Sequence, residues 1–501
     1  MRGRVLAGIG AGVLGRWITP GLVDEVLAKA RVALAGQLPA GEELPRQRFR
    51  VLPARLGVLF VLGLCLFSDL PYAEVLRELT SGLAGPLAAA GWRVPATTAL
   101  TKVRRRLGEK PFELLFWQLC GALSPGAAQW SQVCGLLAVA WDGTMVKADA
   151  SGPNIAAFGR PRSAKTGHYP QVRLVALIAC GTRGLLGAVL GPLGKGERTL
   201  ARDLVARLGA GMLLLADRGF YGFGLWTAAA ATGADLLWRV KANMVLPVLA
   251  PLPDGSWLAH VNDPAAVRRR TVRNGQRRRR GSTRGPDTGP LPGITVRVIE
   301  FWLTVSTDDG QARTGRYRLI TTLLDHRRYP AAELAAGYAQ RWAIETGFRE
   351  FKTYLRGPGR ILRGRTPALA RQELWAYLAV YQAIRAVICL AAATAGLDPD
   401  RISFTATLHA VRRTLTTART SPDAALAETR ASILTQLVPR RDGRVCVRAA
   451  IPPWQPWPSR DTIKGPLTQH ATSTITITPP APPHTNPEQA KQPPDHPNQP
   501  P

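Results

Sequence analysis

The sequence predicts an α/β fold: an open-sheet core, broken by a β-strand insertion and flanked by helical domains at the amino and carboxyl ends. Three observations predict it. From Thr19 to about Gly126, apolar residues recur at helical spacing. From about Gly135 to Lys241, short apolar runs of strand length alternate with helical stretches. From Met244 to about Leu324 the chain turns to short strands joined by polar loops, and helical spacing resumes at Pro330. With 501 residues, 46% of them hydrophobic, the chain is long enough for two or three packed domains. The expected divisions are a helical domain over 1–126, a first part of the core over 127–243, the insertion over 244–324, the last part of the core with carboxyl-terminal helices over 325–440, and a tail over 441–501.

In the first domain, stripes fall at Leu22, Val26 and Leu27, from Leu56 to Leu66, and from Phe112 to Leu119. A helix opening at Pro95-Ala-Thr-Thr ends in Lys102-Val-Arg104-Arg105-Arg106, with threonine at its start and cations at its far end. Those cations either complement the helix dipole or read DNA, and both readings stay open. In the core, strands are expected at Leu136–Trp141, Val172–Cys180 and Leu185–Leu190, then a helix at Glu197–Leu208, a strand at Met212–Ala216, a helix at Phe223–Thr232 and a strand at Asp235–Val240. That is the chain order of a ribonuclease-H-like sheet, although a fold assigns no function by itself.

Within the insertion, strands are expected at Trp257–Val261, Ile294–Val305 and Tyr317–Thr322. Between the first two, arginines crowd from Arg268 through Arg277, Arg278, Arg279 and Arg280 to Arg284 without apolar periodicity. The run reads as a basic loop, either solvated or lying on a phosphate backbone. The tail from Ile451 is rich in Pro, Thr and Gln, so it is expected to be disordered.

A formal net charge of +31 favours a polyanionic partner, nucleic acid or an acidic membrane surface. Six cysteines lie far apart without a Cys-x-x-Cys pair, which argues against a zinc site or a disulfide scaffold. The apolar run Leu56–Phe67 is too short to cross a bilayer, and Ala379–Leu397 is interrupted by Arg385. A soluble protein of a reducing cytoplasm is the expectation.

Two carboxylates stand at strand ends. Asp142 follows the apolar run Leu136–Trp141 in Trp-Asp-Gly-Thr, and Asp217 follows Met212–Ala216 in Ala-Asp-Arg-Gly-Phe-Tyr. Each alone reads as a turn residue or a helix cap. Both together lie at the carboxyl edge of one expected sheet, where open α/β sheets place their ligands. A third, Glu345, shares a helix with Tyr338, Arg341, Arg349 and Lys352, spaced by three, four, four and three residues. On one continuous α-helix these five fall within an arc of about 80°. A solvated face of ion pairs is one reading of that arc. The other is phosphodiester chemistry, in which acidic oxygens hold two divalent ions about 4 Å apart and neighbouring cations grip phosphates.

With these residues in view, the chain resembles transposases of the insertion-sequence-four family. Tyr338-x-x-Arg341-x-x-x-Glu345-x-x-x-x-x-x-Lys352 carries that family's helix pattern, beside Trp141-Asp-Gly-Thr and Ala216-Asp-Arg-Gly-Phe. The likeness extends over roughly residues 15 to 440. It takes in a helical amino-terminal domain and, in the loop after the first strand, Asn154, Phe158 and Gly159. The resemblance implies that Asp142, Asp217 and Glu345 are catalytic and ligate Mg2+ or Mn2+, as two ions. It implies that Tyr338, Arg341 and Lys352 contact phosphates near the cut end, and Arg349, Arg104 to Arg106 and Arg277 to Arg280 are further expected DNA contacts. The reaction implied is cut-and-paste: strand hydrolysis at an element end, attack by the 3′-hydroxyl and joining to target DNA, with excision through a hairpin end. Trp302 is the candidate for the tryptophan that supports a flipped base. The implied partners are double-stranded DNA and a second copy in a paired-end complex, with no membrane, on a cytoplasmic nucleoid. The rival expectation is a domesticated or defective copy that binds DNA without transposing it.

Overall fold

A computed structural model describes residues 9–36, 52–121, 123, 130–161, 168–280, 285–308, 310, 312–416, 421–439, 444–446 and 468–480. In chain order its main elements begin with helices α1 (Pro20–Ala35), α2 (Ala54–Leu66), α3 (Tyr72–Thr80), α4 (Thr97–Leu107) and α5 (Lys110–Leu119). Next come β1 (Leu136–Lys147), α6 (Gly152–Phe158), β2 (Gln171–Ala179), β3 (Leu185–Pro192), α7 (Glu197–Ala201), β4 (Met212–Ala216), α8 (Phe223–Ala230) and β5 (Asp235–Arg239). The strand and helix order expected of the core is therefore the order observed. The insertion supplies β6 (Trp257–Asn262), α9 (Pro264–Arg279), β7 (Gly293–Thr307) and β8 (Ala312–Thr321). The chain continues through α10 (Ala331–Gly337), α11 (Trp342–Arg349), α12 (Pro367–Thr394), α13 (Phe404–Thr416) and α14 (Pro422–Leu434) to β9 (Thr468–Ile477).

These elements form two compact units. The first comprises Met1–Ser131, Ala140–Arg207 and Trp342–Arg440, and its core is helical. α1 starts where Thr19 accepts from Leu22 N, with proline at the first helical position. α2 is apolar on every side and buried from Leu56 to Leu66, so it cannot be a surface helix. α12, capped by Thr366 on Leu369 N, is buried along most of its 28 residues. It is the one described helix long and apolar enough to span a membrane, and 89% of its most apolar stretch is buried inside the protein. Its interrupting Arg385 donates there through Nε to Thr182 O at 2.8 Å. Also in this unit, β1 from Ala140 onward, β2 and β3 form a sheet in that order.

The second unit comprises Gln132–Val139, Leu208–Arg341 and Arg441–Pro501. Its sheet runs from the short strand Arg444–Cys446 through β9-β7-β8-β5-β4 and ends on the first residues of β1, where Leu137 N donates to Gly211 O at 2.8 Å. β4 and β5 are parallel, and β8 is antiparallel to both β5 and β7. β6 pairs antiparallel with the first half of β7.

Three expectations need correction. The arginine run is not a loop as far as Arg279: it is α9, started by Asp263 accepting from Ala265 N and by Pro264, and arginine is a good helix former. Its only buried residue is Ala266, so the helix needs no apolar stripe. The tail is not wholly unstructured, because Thr468–Ile477 pairs with β7 from Thr307 to Phe301. Apart from Ser473, its Thr472-Ser-Thr-Ile-Thr-Ile477 run is β-branched, which suits a strand whatever the proline content around it. The rest of the tail, apart from 444–446 and 478–480, lies outside the described residues, as does Arg284. Finally, the segment after β1 that carries Asn154 and Phe158 is the short helix α6, with both side chains buried.

Candidate active site

In the first unit, Asp142 and Gly143 sit within β1 rather than in a turn beyond it. Asp142 is half-buried, and its Oδ1 accepts from Gly143 N at 2.7 Å. Glu197, at the start of α7, lies against this peptide: a Cβ built on Gly143 would stand 2.4 Å from Glu197 Oε1. Arg173 Nη1 on β2 donates to the same oxygen at 2.6 Å, and its Nη2 donates to Leu193 O at 3.2 Å. A side chain at 143 would displace the Glu197 carboxylate, so this glycine marks a close approach rather than a turn. Neither Glu197 nor Arg173 was expected at the site, because their contact joins separate elements and leaves no local motif.

Glu345 is exposed on α11. The segment after it is anchored to β1 by Lys352, whose Nζ donates to Thr144 Oγ1 at 3.1 Å, two residues beyond Asp142. Burial, with Arg356 and Lys147 as nearby like charges, holds the Lys352 ammonium below the usual lysine pKa. From Glu350 to Leu355 the helix is of π type, a form that concentrates at functional sites. A buried network fixes that segment: Glu350 Oε1 accepts from Arg183 Nη1 at 2.7 Å and Oε2 from the Tyr381 hydroxyl at 3.1 Å, with Arg385 at 3.7 Å.

In the second unit, Asp217 follows β4 directly. Its Oδ1 is enclosed and receives no hydrogen bond, and the nearest guanidinium, Arg239, stands 3.8 Å away. Arg239 itself lies over the Tyr317 ring, 4.2 Å from its centroid. The Tyr338 hydroxyl donates to Ala216 O at 3.1 Å, immediately before Asp217. Tyr338 and Arg341 are 4% and 6% exposed.

The expected five-residue face is therefore not one face. Tyr338–Arg341 is a 3-10 turn, Trp342–Arg349 is α-helical and Glu350–Leu355 is a π-helix. Each change of pitch rotates the residues beyond it, so α-helical arithmetic fails across the segment. Tyr338 and Arg341 turn inward, whereas Glu345, Arg349 and Lys352 are exposed. The expected DNA contact at Arg104 is corrected as well. On α4 the buried side carries Leu100, Val103, Arg104 and Leu107, and Arg104 is 1% exposed. Its guanidinium binds Gln372 Oε1 at 3.0 Å, Leu369 O at 3.3 Å, Glu373 at 3.4 Å and the Tyr72 hydroxyl. Arg105 and Arg106 are exposed, as are Arg278, Arg279 and Arg280, while Arg277 is partly covered. Trp302 is half-buried on β7, its backbone paired with Arg316 on one side and Thr476 on the other.

Among the described residues, no three His, Cys, Asp or Glu side chains converge closely enough to hold an ion. The donor chemistry nonetheless suits a hard divalent cation, because the enclosed Asp217 Oδ1 keeps its lone pairs and carboxylate oxygens are the ligands such ions take.

Residues 9–117 match the family described as insertion element 4 transposase N-terminal, and residues 134–382 match the transposase DDE domain. The chain is 27% identical over 411 residues to the transposase InsG for insertion sequence element IS4 of Escherichia coli (strain K12), covering 81% of this chain and 83% of that one. It is 30% identical over 176 residues to the putative transposase InsZ of the same organism, covering 34% of this chain and 57% of that one. A solved piggyBac transposase synaptic complex with hairpin DNA shares 9% identity at a TM-score of 0.41, over 90% of this chain and 87% of that chain, too distant a likeness to carry an argument.

Proposed function

The chain belongs to the insertion-element-4 family of DDE transposases, and on that footing we propose that it is a cut-and-paste enzyme whose Asp142, Asp217 and Glu345 supply the catalytic carboxylates. The observation that carries this reading is the Lys352 to Thr144 hydrogen bond of 3.1 Å. It fastens the segment beyond Glu345 to the strand that bears Asp142.

The three carboxylates would hold Mg2+ or Mn2+, which when bound activates an attacking oxygen and stabilises a leaving one at phosphorus. The remaining steps belong to the chain's own side chains. Exposed Arg349 and Lys352 receive backbone phosphates, which positions the strand without reading its sequence. Buried Tyr338 holds the peptide that precedes Asp217, so its part is to orient a carboxylate and not to touch DNA. Arg341, buried in the same turn, adds a positive charge near Tyr338. The Glu197–Arg173 pair lies against the Asp142–Gly143 peptide and braces it. The freed 3′-hydroxyl then attacks the opposite strand to close a hairpin end, and after reopening joins target DNA. A second copy of the chain on the second DNA end completes the active assembly, on a cytoplasmic nucleoid.

The test incubates the full chain and Mg2+ with a duplex spanning the DNA on either side of its gene, with products resolved on a denaturing gel. Nicks at an element end followed by a hairpin product are expected. Asp142→Asn, Asp217→Asn and Glu345→Gln should each abolish nicking while leaving duplex affinity within a few-fold. Full nicking by any one of them would remove that residue from the set, and nicks without hairpins would exclude the hairpin route.

A further inference from the structure

The first unit also contains a cleft of about 330 Å³, lined by Ser68, Tyr169, Arg360, Arg363, Glu373 and Tyr377 among others. Two guanidinium groups converge there on one neutral acceptor. Arg360 Nη1 donates to Ser68 O at 2.6 Å, and Arg363 Nη2 donates to the same oxygen, while Arg363 Nη1 reaches Leu70 O at 2.9 Å. A third arginine, buried Arg356, donates to Arg360 O at 2.9 Å.

Neutral carbonyls fix these guanidinium groups but leave their charge in place, and of the three only Arg356 is offset by the Glu373 carboxylate. Glu373 is the carboxylate on the cleft wall, and it accepts from the backbone N–H of Arg363 and from buried Arg104. Among the described residues no ion pair joins Arg360 or Arg363 to a carboxylate. Asp69, next to Ser68 in the chain, acts on Arg412. An aromatic ring completes the cleft, since Tyr169 is 39% exposed at its wall.

The cleft is tied to the strand that bears Asp142. Leu362 N donates to Lys147 O at 2.9 Å, and Leu362 bridges Ala148 in parallel. Ala148 lies six residue steps beyond Asp142 along this extended chain, a span of about 20 Å at roughly 3.3 Å per step. One strand of B-DNA advances about 3.4 Å per nucleotide, so that span corresponds to about six nucleotides.

We propose that this cleft binds one nucleotide of a DNA strand that runs past Asp142, its phosphate held by Arg360 and Arg363 and its sugar or base packed on Tyr169. The inference rests on the transposase reading and adds to it a contact remote from the cut. Guanidinium groups held in place by carbonyls keep N–H donors for a phosphate fork, and an aromatic face accepts any base, so the contact is independent of sequence.

The experiment titrates the full-length chain against a fluorescein-labelled 30-base-pair duplex of arbitrary sequence at several salt concentrations. Arg360→Gln should lower the slope of log affinity against log salt by about 0.9, the value for one phosphate contact. Tyr169→Ala should keep the slope and weaken binding several-fold, and a duplex carrying 5-iodouracil should crosslink to Tyr169. Parental slope in Arg360→Gln together with no crosslink at Tyr169 would overturn the cleft. Should Arg360→Gln also lower the thermal midpoint, Arg360→Lys separates the causes: a restored slope marks a charge contact, and a slope still reduced marks a missing brace and overturns the proposal. A parent chain without salt-dependent DNA affinity would instead overturn the transposase reading beneath it.

Discussion

The Glu197 carboxylate occupies the space that a side chain on Gly143 would need, with Oε1 2.4 Å from the position of the missing Cβ. Gly143 follows Asp142 within one strand, and Glu197 is held by Arg173 on the neighbouring strand. The Asp-Gly pair is therefore a packing device, in which the absence of a side chain lets a second carboxylate and its arginine close over the peptide next to Asp142.

Gly143→Ala should displace Glu197 and loosen its pair with Arg173. The Glu197 side chain is 36% exposed, so the pair contributes under about 1 kcal/mol and the thermal cost should be small. Cleavage should suffer far more, by on the order of 100-fold, as loss of the Glu197 contact lets the adjacent Asp142 shift, and about 1 Å of misplacement at the reacting centre is that costly. Adding Glu197→Ala should relieve the clash and return most of the stability. Melting and single-turnover cleavage of the two single variants and the double variant decide it; parental cleavage by Gly143→Ala would refute the packing argument.

The order of elements and the strand-end position of Asp217 were legible because the apolar run Met212–Ala216 stops at Asp217, a purely local signal, whereas Asp142 lies inside β1, whose polar second half continues the strand to Lys147. The geometry around Glu345 was not. Spacing arithmetic assumes one pitch, whereas Tyr338 to Leu355 passes through three, and the π segment is set by Arg183, Tyr381 and Arg385, between 31 and 167 residues from Glu350. Arg104 misled for a related reason: it belongs to a cationic run, and only the partners Tyr72, Gln372 and Glu373 from distant helices show that it faces inward. The arginines of α9 lack apolar periodicity because that helix buries almost nothing.

Arg104 and its chain neighbours should separate cleanly. Arg104→Ala strands Glu373 in the core without its guanidinium, and breaking a buried pair typically costs about 3–5 kcal/mol. Arg105→Gln and Arg106→Gln lie on the exposed side and should alter stability by no more than about 0.5 kcal/mol. Urea denaturation checks both halves; an Arg104→Ala variant as stable as the parent would show that the core contact contributes little.

The exposed end of α9 offers a sequence-independent DNA contact. Replacing Arg277 to Arg280 with Gln should leave the thermal midpoint near its parental value, since among these residues only Arg277 is partly covered. The slope of log affinity against log salt should flatten by up to about 0.9 for each phosphate released. An unchanged slope would assign this helix end to solvent.

Tyr338 provides the sharpest contrast between a DNA contact and an internal brace. Its hydroxyl donates to Ala216 O at 3.1 Å from a buried position, so Tyr338→Phe removes one hydrogen bond and leaves a carbonyl without its donor. The expected stability loss is about 0.5–1.5 kcal/mol. Affinity for duplex DNA should be unchanged at every salt concentration, because no phosphate is released, while cleavage slows as the peptide that leads into Asp217 relaxes. Burial pushes the phenol well above the usual tyrosine pKa; Arg341 opposes that shift and Asp217 adds to it. The folded state therefore keeps this proton after the unfolded chain, titrating near 10, has begun to release it. Stability from this group is complete below about pH 10 and is lost as pH rises through the folded value. The parent should thus lose stability more steeply above about pH 10 than Tyr338→Phe, and the two unfolding curves should converge with rising pH. If the variant instead weakens DNA binding in a salt-dependent way and its alkaline unfolding follows the parent, Tyr338 faces phosphate and not Ala216.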